Sequence, residues 1–257
     1  IISGTSSIMA LDGWNWEDAV YKADDGIHIN WPRLMVPTGW TEDGPTGWEK
    51  NKNYEKTVLA ISKFFADAKA YCEQSVVMEK NLRFEAMRGV FDGTKNLYLN
   101  ANNVREITEA IQFSIKSNIK KPVLTGGTDA YMVISLLKSN NIPVILGRVH
   151  SLPARTDEDI DQPFKTPYLL KEAGILYCLS NEGDMEAMGA RNLPFQAGTT
   201  ATFGLSKEEA LMSITYNTSK ILGIDTTCGT LEVGKDAVLF VSTGDALDMK
   251  SNKVELA

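Results

Sequence analysis

Histidine is scarce in this chain: among 257 residues only His28 and His150 carry an imidazole. Imidazole is the side chain best suited to moving protons or holding a transition metal near neutral pH, so its scarcity limits the chemistry the chain can do alone. His150 stands in Arg148-Val149-His150-Ser151-Leu152-Pro153, and the acidic run Asp157-Glu158-Asp159-Ile160-Asp161 follows. A histidine with carboxylates nearby suits a metal or a ligand pocket. A run of like charges suits a solvated loop, which is the expectation for Asp157, Glu158, Asp159 and Asp161. His150 is a pocket candidate; His28, in Gly26-Ile27-His28-Ile29, is expected to be a packed or surface loop residue. Glu182 and Asp184 form another carboxylate pair, able to divide acid and base roles or simply to solvate a loop. Gly126-Gly127-Thr128 joins a strand to a helix start, where backbone N–H groups can hold an anion. Trp14, Trp16, Trp31, Trp40 and Trp48 all fall in the first fifty residues and read as core or loop packing, or as the lining of a substrate groove.

The elements that must position these groups follow from periodicity. An opening strand over residues 1–11 gives way to irregular sequence, and residues 37–47 carry too many Pro and Gly for a regular element. Residues 54–73 read as a helix, with Val58, Ile61, Phe65, Ala68 and Cys72 on one stripe. From residue 93 the chain alternates. Strands are expected over 97–99, 122–125, 143–146 and 175–179. Between them lie a helix capped by Asn103 and Glu106, a helix over 129–138, and a helix entered at Thr166-Pro167 and closed at Gly174. The strands are continuous apolar runs, which suits a parallel sheet covered by helices. Ser206 with Glu209 caps a helix running through Ile214 toward Leu222. Gly229 to Asp236 is turn-rich and leads to a strand over 237–241, a small β element of its own.

Composition narrows the class. The chain is 43% hydrophobic and carries a net charge of −7, which disfavours a nucleic-acid backbone as partner, and no apolar run is long enough to span a membrane. Three cysteines, widely separated, suggest neither a disulfide framework nor a zinc ribbon. Walker, Cys-x-x-Cys and serine-nucleophile motifs are absent. The chain opens without Met and ends inside what reads as a strand, so it is expected to be a piece of a longer protein; nothing in it indicates a compartment.

The tail carries the most specific text. Glu208-Glu209-Ala210-Leu211, Ile214-Thr215-Tyr216-Asn217, Ile221-Leu222-Gly223 and Gly229-Thr230-Leu231-Glu232-Val233-Gly234-Lys235-Asp236-Ala237 follow in the order seen near the C-terminus of the amidohydrolase superfamily, and Arg191-Asn192-Leu193-Pro194-Phe195 precedes them. The chain resembles the imidazolonepropionase-like members over residues 95–245, most strongly over 190–245. The resemblance implies an α/β fold: the second half of a (β/α)8 TIM-type barrel in residues 1–225 and part of a small β-sandwich in 226–257. It makes 97–100, 123–126, 144–149 and 176–181 the fifth to eighth strands. Their tips, where such barrels keep their sites, are Asn100, Gly126, Arg148 to His150, and Asn181 to Asp184. Substrate-binding candidates are therefore Asn100, Arg148, His150, Asn181 and Asp184.

In that family zinc or a similar metal activates water, held by a His-x-His pair on the first strand, a His ending the fifth, a His ending the sixth and an Asp ending the eighth. Here the corresponding positions are Asn100, Gly126 and Asn181, which favours no metal at these positions and leaves no catalytic residue assigned. Two readings follow: a hydrolase of C–N bonds in a small molecule or dipeptide with a reworked site, or a family member that only binds. A phosphate-binding α/β domain, from fold rhythm and Gly126-Gly127, is opposed by the tail. A small-molecule ligand is expected. The missing barrel strands are expected from outside this numbering or from a second chain, as in a homo-oligomer, because open sheet edges are seldom left uncovered.

Overall fold

The computed structural model describes residues 2–42, 44–76, 78–181 and 186–257. Its strands are β1 (Ile2–Met9), β2 (Val20–Asn30), β3 (Met35–Thr41), β4 (Gly44–Lys50), β5 (Asn96–Ala101), β6 (Pro122–Gly126), β7 (Val144–Leu146), β8 (Tyr177–Leu179), β9 (Val241–Thr243) and β10 (Lys253–Leu256). The helices are α1 (Trp16–Ala19), α2 (Tyr54–Cys72), α3 (Leu82–Glu85), α4 (Arg88–Asp92), α5 (Val104–Lys116), α6 (Ile134–Ser139), α7 (Gln162–Glu172), α8 (Leu193–Thr202), α9 (Lys207–Met212) and α10 (Tyr216–Leu222). The main sheet runs β1-β2-β5-β6-β7-β8; β1 is antiparallel to β2 and the other pairings are parallel. The fold is thus mixed α/β around a mostly parallel sheet whose edges are β1 and β8.

Side chains alternate across a strand, and the sequence exploits this. Ile27, Ile29, Leu97, Leu99, Leu124, Val144 and Leu146 meet Ile61 and Phe65 of α2, Ile107 and Ile111 of α5, Leu137 of α6 and Leu170 of α7 in one apolar core. Phe65 packs edge-on against Phe113 with ring centroids 4.9 Å apart. The other face holds a smaller cluster of Tyr98, Val123, Cys178 and Ile221. There the buried Tyr98 hydroxyl donates to Asp25, Lys22 reaches the same carboxylate at 2.7 Å, and Asn96 donates to the Tyr98 oxygen at 3.0 Å. Lys22 and Asn96 also donate to Leu222 and Ile221 carbonyls, tying down the end of α10.

Several expectations hold, including both capping boxes, at Asn103/Glu106 and Ser206/Glu209. Others are corrected. β2 runs through sequence read as irregular: Asp24 adopts a left-handed φ of 48°, and Gly26 lies where a Cβ would meet the Tyr98 ring at 2.5 Å, so the apolar pattern is interrupted inside a true strand. Residues 35–50 form the β3–β4 hairpin despite Pro37 and Pro45. It is a two-stranded ribbon with its ladder shifted around Gly39, so the prolines interrupt no larger sheet. α7 begins four residues before the expected start, with Pro163 in its first turn, and Pro167 lies inside it. The expected helix over 129–138 splits into a 3-10 turn (Ala130–Met132) and α6. The helix after Ser206 breaks between α9 and α10, which leaves the Ser213 carbonyl to accept from Leu179 N–H at the β8 edge. The tail strand is β9, later than expected, and pairs with β10.

Candidate functional site

At the C-terminal end of the sheet, β2 and β5 present two carboxamides side by side. Asn100 Nδ2 donates to Asn30 Oδ1 at 3.2 Å, Asn30 Nδ2 donates to Ser3 Oγ at 2.8 Å, and Trp31 N–H donates to the Asn100 carbonyl at 3.0 Å. At the end of β6, Gly126 has φ 83°, a conformation that suits glycine. A Cβ built on it would lie 2.6 Å from Asn102 Oδ1, so the Asn102 amide takes up the space of a side chain here. That amide oxygen accepts from the Thr128 hydroxyl and N–H. Asn30, Asn100, Asn102 and Asn103 share a cavity of about 810 Å³ with Trp31, Arg33, Met35 and Trp48.

At the ends of β7 and β8 a buried glutamine links the tips. Gln196 of α8 accepts from Val149 N–H at 3.1 Å and donates to Asn181 Oδ1 at 2.7 Å. His150 is exposed, and its Nε2 lies 2.7 Å from Thr199 Oγ1. The Thr199 hydroxyl already donates to the Phe195 carbonyl, so it accepts from His150, which sets Nε2 as the protonated nitrogen. Partial desolvation of the ring, and next the nearby Arg148 charge, lower the His150 pKa and favour the neutral ring.

The acidic loop is more built than a solvated run. Asp157 and Asp159 are exposed, but the Glu158 carboxylate is tucked in, accepting from the Tyr131 hydroxyl and from Ala154 and Arg155 N–H groups. Arg155 donates to Asp129 at 2.6 Å and pairs with Glu158, and the other Asp129 oxygen accepts from Val104 N–H at the start of α5. The bond to Asp129 raises the Arg155 pKa above its usual value, and burial followed by the Glu158 contact raises that of Tyr131. These bonds lock the loop after β7 against the turn after β6.

The anion reading of Gly126-Gly127-Thr128 is not supported. Gly127 N–H donates to Ala101, Asp129 N–H to Asn102 and Thr128 N–H to the Asn102 side chain, and only a three-residue 3-10 turn follows. The candidate residues lie at one end of the sheet but line different hollows. Asn100 faces the 810 Å³ cavity, Arg148 a neighbouring one of about 250 Å³ that also touches Asn102, and His150 a third of about 560 Å³ beside α8 and residues 245–249. Asn181 is tied to Gln196. Glu182 and Asp184 lie outside the described residues. Sequence reasoning missed Asn30, Gln196 and the Arg155–Asp129 pair. Asn30 had a signal in closing the alternating run Ile27-His28-Ile29, but Gln196 looks like any mid-helix polar residue. His28 proves to be a strand residue stacked on Tyr98 at 4.5 Å. Of the tryptophans only Trp31 is buried, donating to the Tyr54 hydroxyl, while Trp14, Trp16, Trp40 and Trp48 are exposed.

The sequence profile of the amidohydrolase family matches residues 181–255. Across almost the whole chain (99%), the fold superposes on an amidohydrolase from Thermotoga maritima MSB8 with a TM-score of 0.79 at 23% identity. The chain thus resembles the amidohydrolase family in sequence over its last third, and its fold is that of a solved amidohydrolase. A Xaa-Pro dipeptidase with bound methionine in its active site is also similar in fold, with a TM-score of 0.50 at 14% identity over 91% of this chain. The chain spans 66% of the length of the Thermotoga amidohydrolase and 53% of the dipeptidase. No curated protein matches.

The likeness raises the question of zinc, and these strand tips do not fit it. Asn100 and Asn181 offer neutral amide oxygens, the latter already accepting from Gln196, and Gly126 offers no donor while Asn102 fills its space. Zinc in such sites takes imidazole, thiolate or carboxylate, and among the described residues no cluster of three His, Cys, Asp or Glu side chains is poised around one point.

Proposed function

We propose that this chain is the ligand-binding half of an amidohydrolase-type hydrolase acting on C–N bonds of a small molecule, a cyclic amide or a dipeptide, its sheet being half of a (β/α)8 barrel. The observation that carries the reading is the cavity floored by Asn30, Asn100 and Asn102 at the C-terminal ends of parallel strands. Carboxamides pair as donor and acceptor with a substrate amide, so these side chains bind and orient a C–N bond without charging it. They cannot take a proton from water, and no hydrolytic step is assigned to them. Cyclic amides are suggested by the imidazolonepropionase-like tail.

A second reading, a protein that binds such amides without hydrolysing them, is favoured by Asn102 filling the space beside Gly126. Purified protein incubated with cyclic amides and with Xaa-Pro and other dipeptides separates the two, with amine release and calorimetric binding measured together. The first reading expects turnover, with KM raised about tenfold in Asn100→Ala, the loss of one or two amide hydrogen bonds. Saturable binding without amine release selects the second; neither binding nor release contradicts both.

A further inference from the structure

The β3–β4 hairpin stands apart from the main sheet as a ribbon of its own. Pro37 pairs with Trp48 and Met35 with Lys50, and residues directly opposite in a ladder share a face. Met35 and Trp48 therefore project from the same side of the ribbon. Both line the 810 Å³ cavity above Asn30 and Asn100, while staying about half exposed. Trp40, on the same ribbon and more exposed, is not part of that lining.

The charges around the cavity are unequal in availability. Asp129 is bonded to Arg155 and to Val104 N–H, and Glu106 accepts from Leu34 and Asn103 N–H groups. Arg155 is neutralised by Asp129 and Glu158. Arg33 is exposed at the rim and has no carboxylate partner among the described residues. The cavity thus combines an apolar wall, an amide floor and one uncommitted guanidinium. Its volume suits a small organic ligand.

We propose that this mouth selects an amide-bearing monoanion with a flat apolar group, such as an N-acylated aromatic amino acid, packing the ring on Trp48 and Met35 and the carboxylate on Arg33. The proposal rests on reading the mouth as the ligand site, and it names the ligand class. Arg with a carboxylate forms a charge-assisted pair, and an indole face receives a ring by offset or edge stacking.

The test is calorimetry with N-acetyl-L-phenylalanine, alongside N-acetylglycine, which lacks the ring, and N-acetyl-L-phenylalaninamide, which lacks the charge. Trp48→Ala and Arg33→Gln are each expected to weaken the acid by about tenfold, the size of one stacking or charge-assisted contact. In Arg33→Gln the acid and the amide should bind alike. Trp40→Ala, on the same ribbon, should leave binding unchanged and shows that the hairpin tolerates loss of an indole. Equal binding of N-acetylglycine, equal weakening by Trp40→Ala, or no saturation by N-acetyl-L-phenylalanine below about 10 mM overturns the proposal. Absence of turnover does not bear on it, since binding is read directly; conversely, hydrolysis of an unrelated dipeptide with no binding of these probes sinks this proposal and leaves the hydrolase reading standing.

Discussion

The two faces of the main sheet differ in kind, although the same strands make both. One parity of residues (Ile27, Ile29, Leu97, Leu99, Leu124) is uniformly apolar and sits under four helices. The other parity carries His28, Tyr98, Asn96, Asn100 and Thr125; Tyr98 donates to Asp25, Asn96 to Tyr98 and to the Ile221 carbonyl of α10, and Asn100 to Asn30. The helix-covered face holds the fold and can be read from apolar pattern. The opposite face carries the buried polar groups, and its residues are legible only once neighbouring strands are known.

Mutations on the two faces should part accordingly. The largest effect is expected from Leu99→Ala, a fully buried side chain of the helix-covered face, which should cost about 2–5 kcal/mol in urea unfolding. A loss under about 1 kcal/mol would mean that the helices do not pack there. Asp25→Asn on the opposite face should cost about 1.5–3 kcal/mol, since Asp25 is buried and accepts from Tyr98 while pairing with Lys22. A neutral result would show that the polar cluster is not holding β2 to β5.

His28 sharpens the comparison through pH. Its Nε2 is buried without a hydrogen-bond partner, and burial lowers its pKa, with Asp25 opposing. An unfolded chain then takes up the proton at higher pH than the folded one. The contribution to stability is whole above the unfolded value of about 6.5 and is lost as pH falls through the lowered native value. His150 shifts the same way and acts in the same window. His28→Phe, which keeps a ring on Tyr98, should flatten the fall in stability between pH 7 and pH 5; an unchanged slope would mean that His28 titrates as it does when unfolded. The smallest stability effect is expected from Asn100→Ala, about 0.5–1.5 kcal/mol, because its bond to Asn30 is exposed; thermal melts would check it.

What the sequence revealed divides along the same line. α2, α5 and the strands from Leu97 to Leu179 follow from stripes and apolar runs, and the two capping boxes mark helix starts to the residue. β2 was hidden because Asp24, Asp25 and Gly26 serve the polar face and break the apolar run. The hairpin was hidden because an isolated ribbon tolerates Pro and Gly that a central strand would not. At the site, the substituted positions Asn100, Gly126 and Asn181 were readable only through a resemblance. The groups that occupy their surroundings, Asn102 and Gln196, come from a following loop and a later helix, and no local signal marks them.

The central claim is that this amidohydrolase-like frame presents amides, not metal ligands, at its strand tips. Elemental analysis tests it most directly: the purified 257-residue chain is loaded with zinc, passed through gel filtration, and its metal content measured for wild type and His150→Ala. The account predicts zinc well below one per chain, with no difference between the two proteins. One zinc per chain retained by wild type and lost in His150→Ala would contradict it.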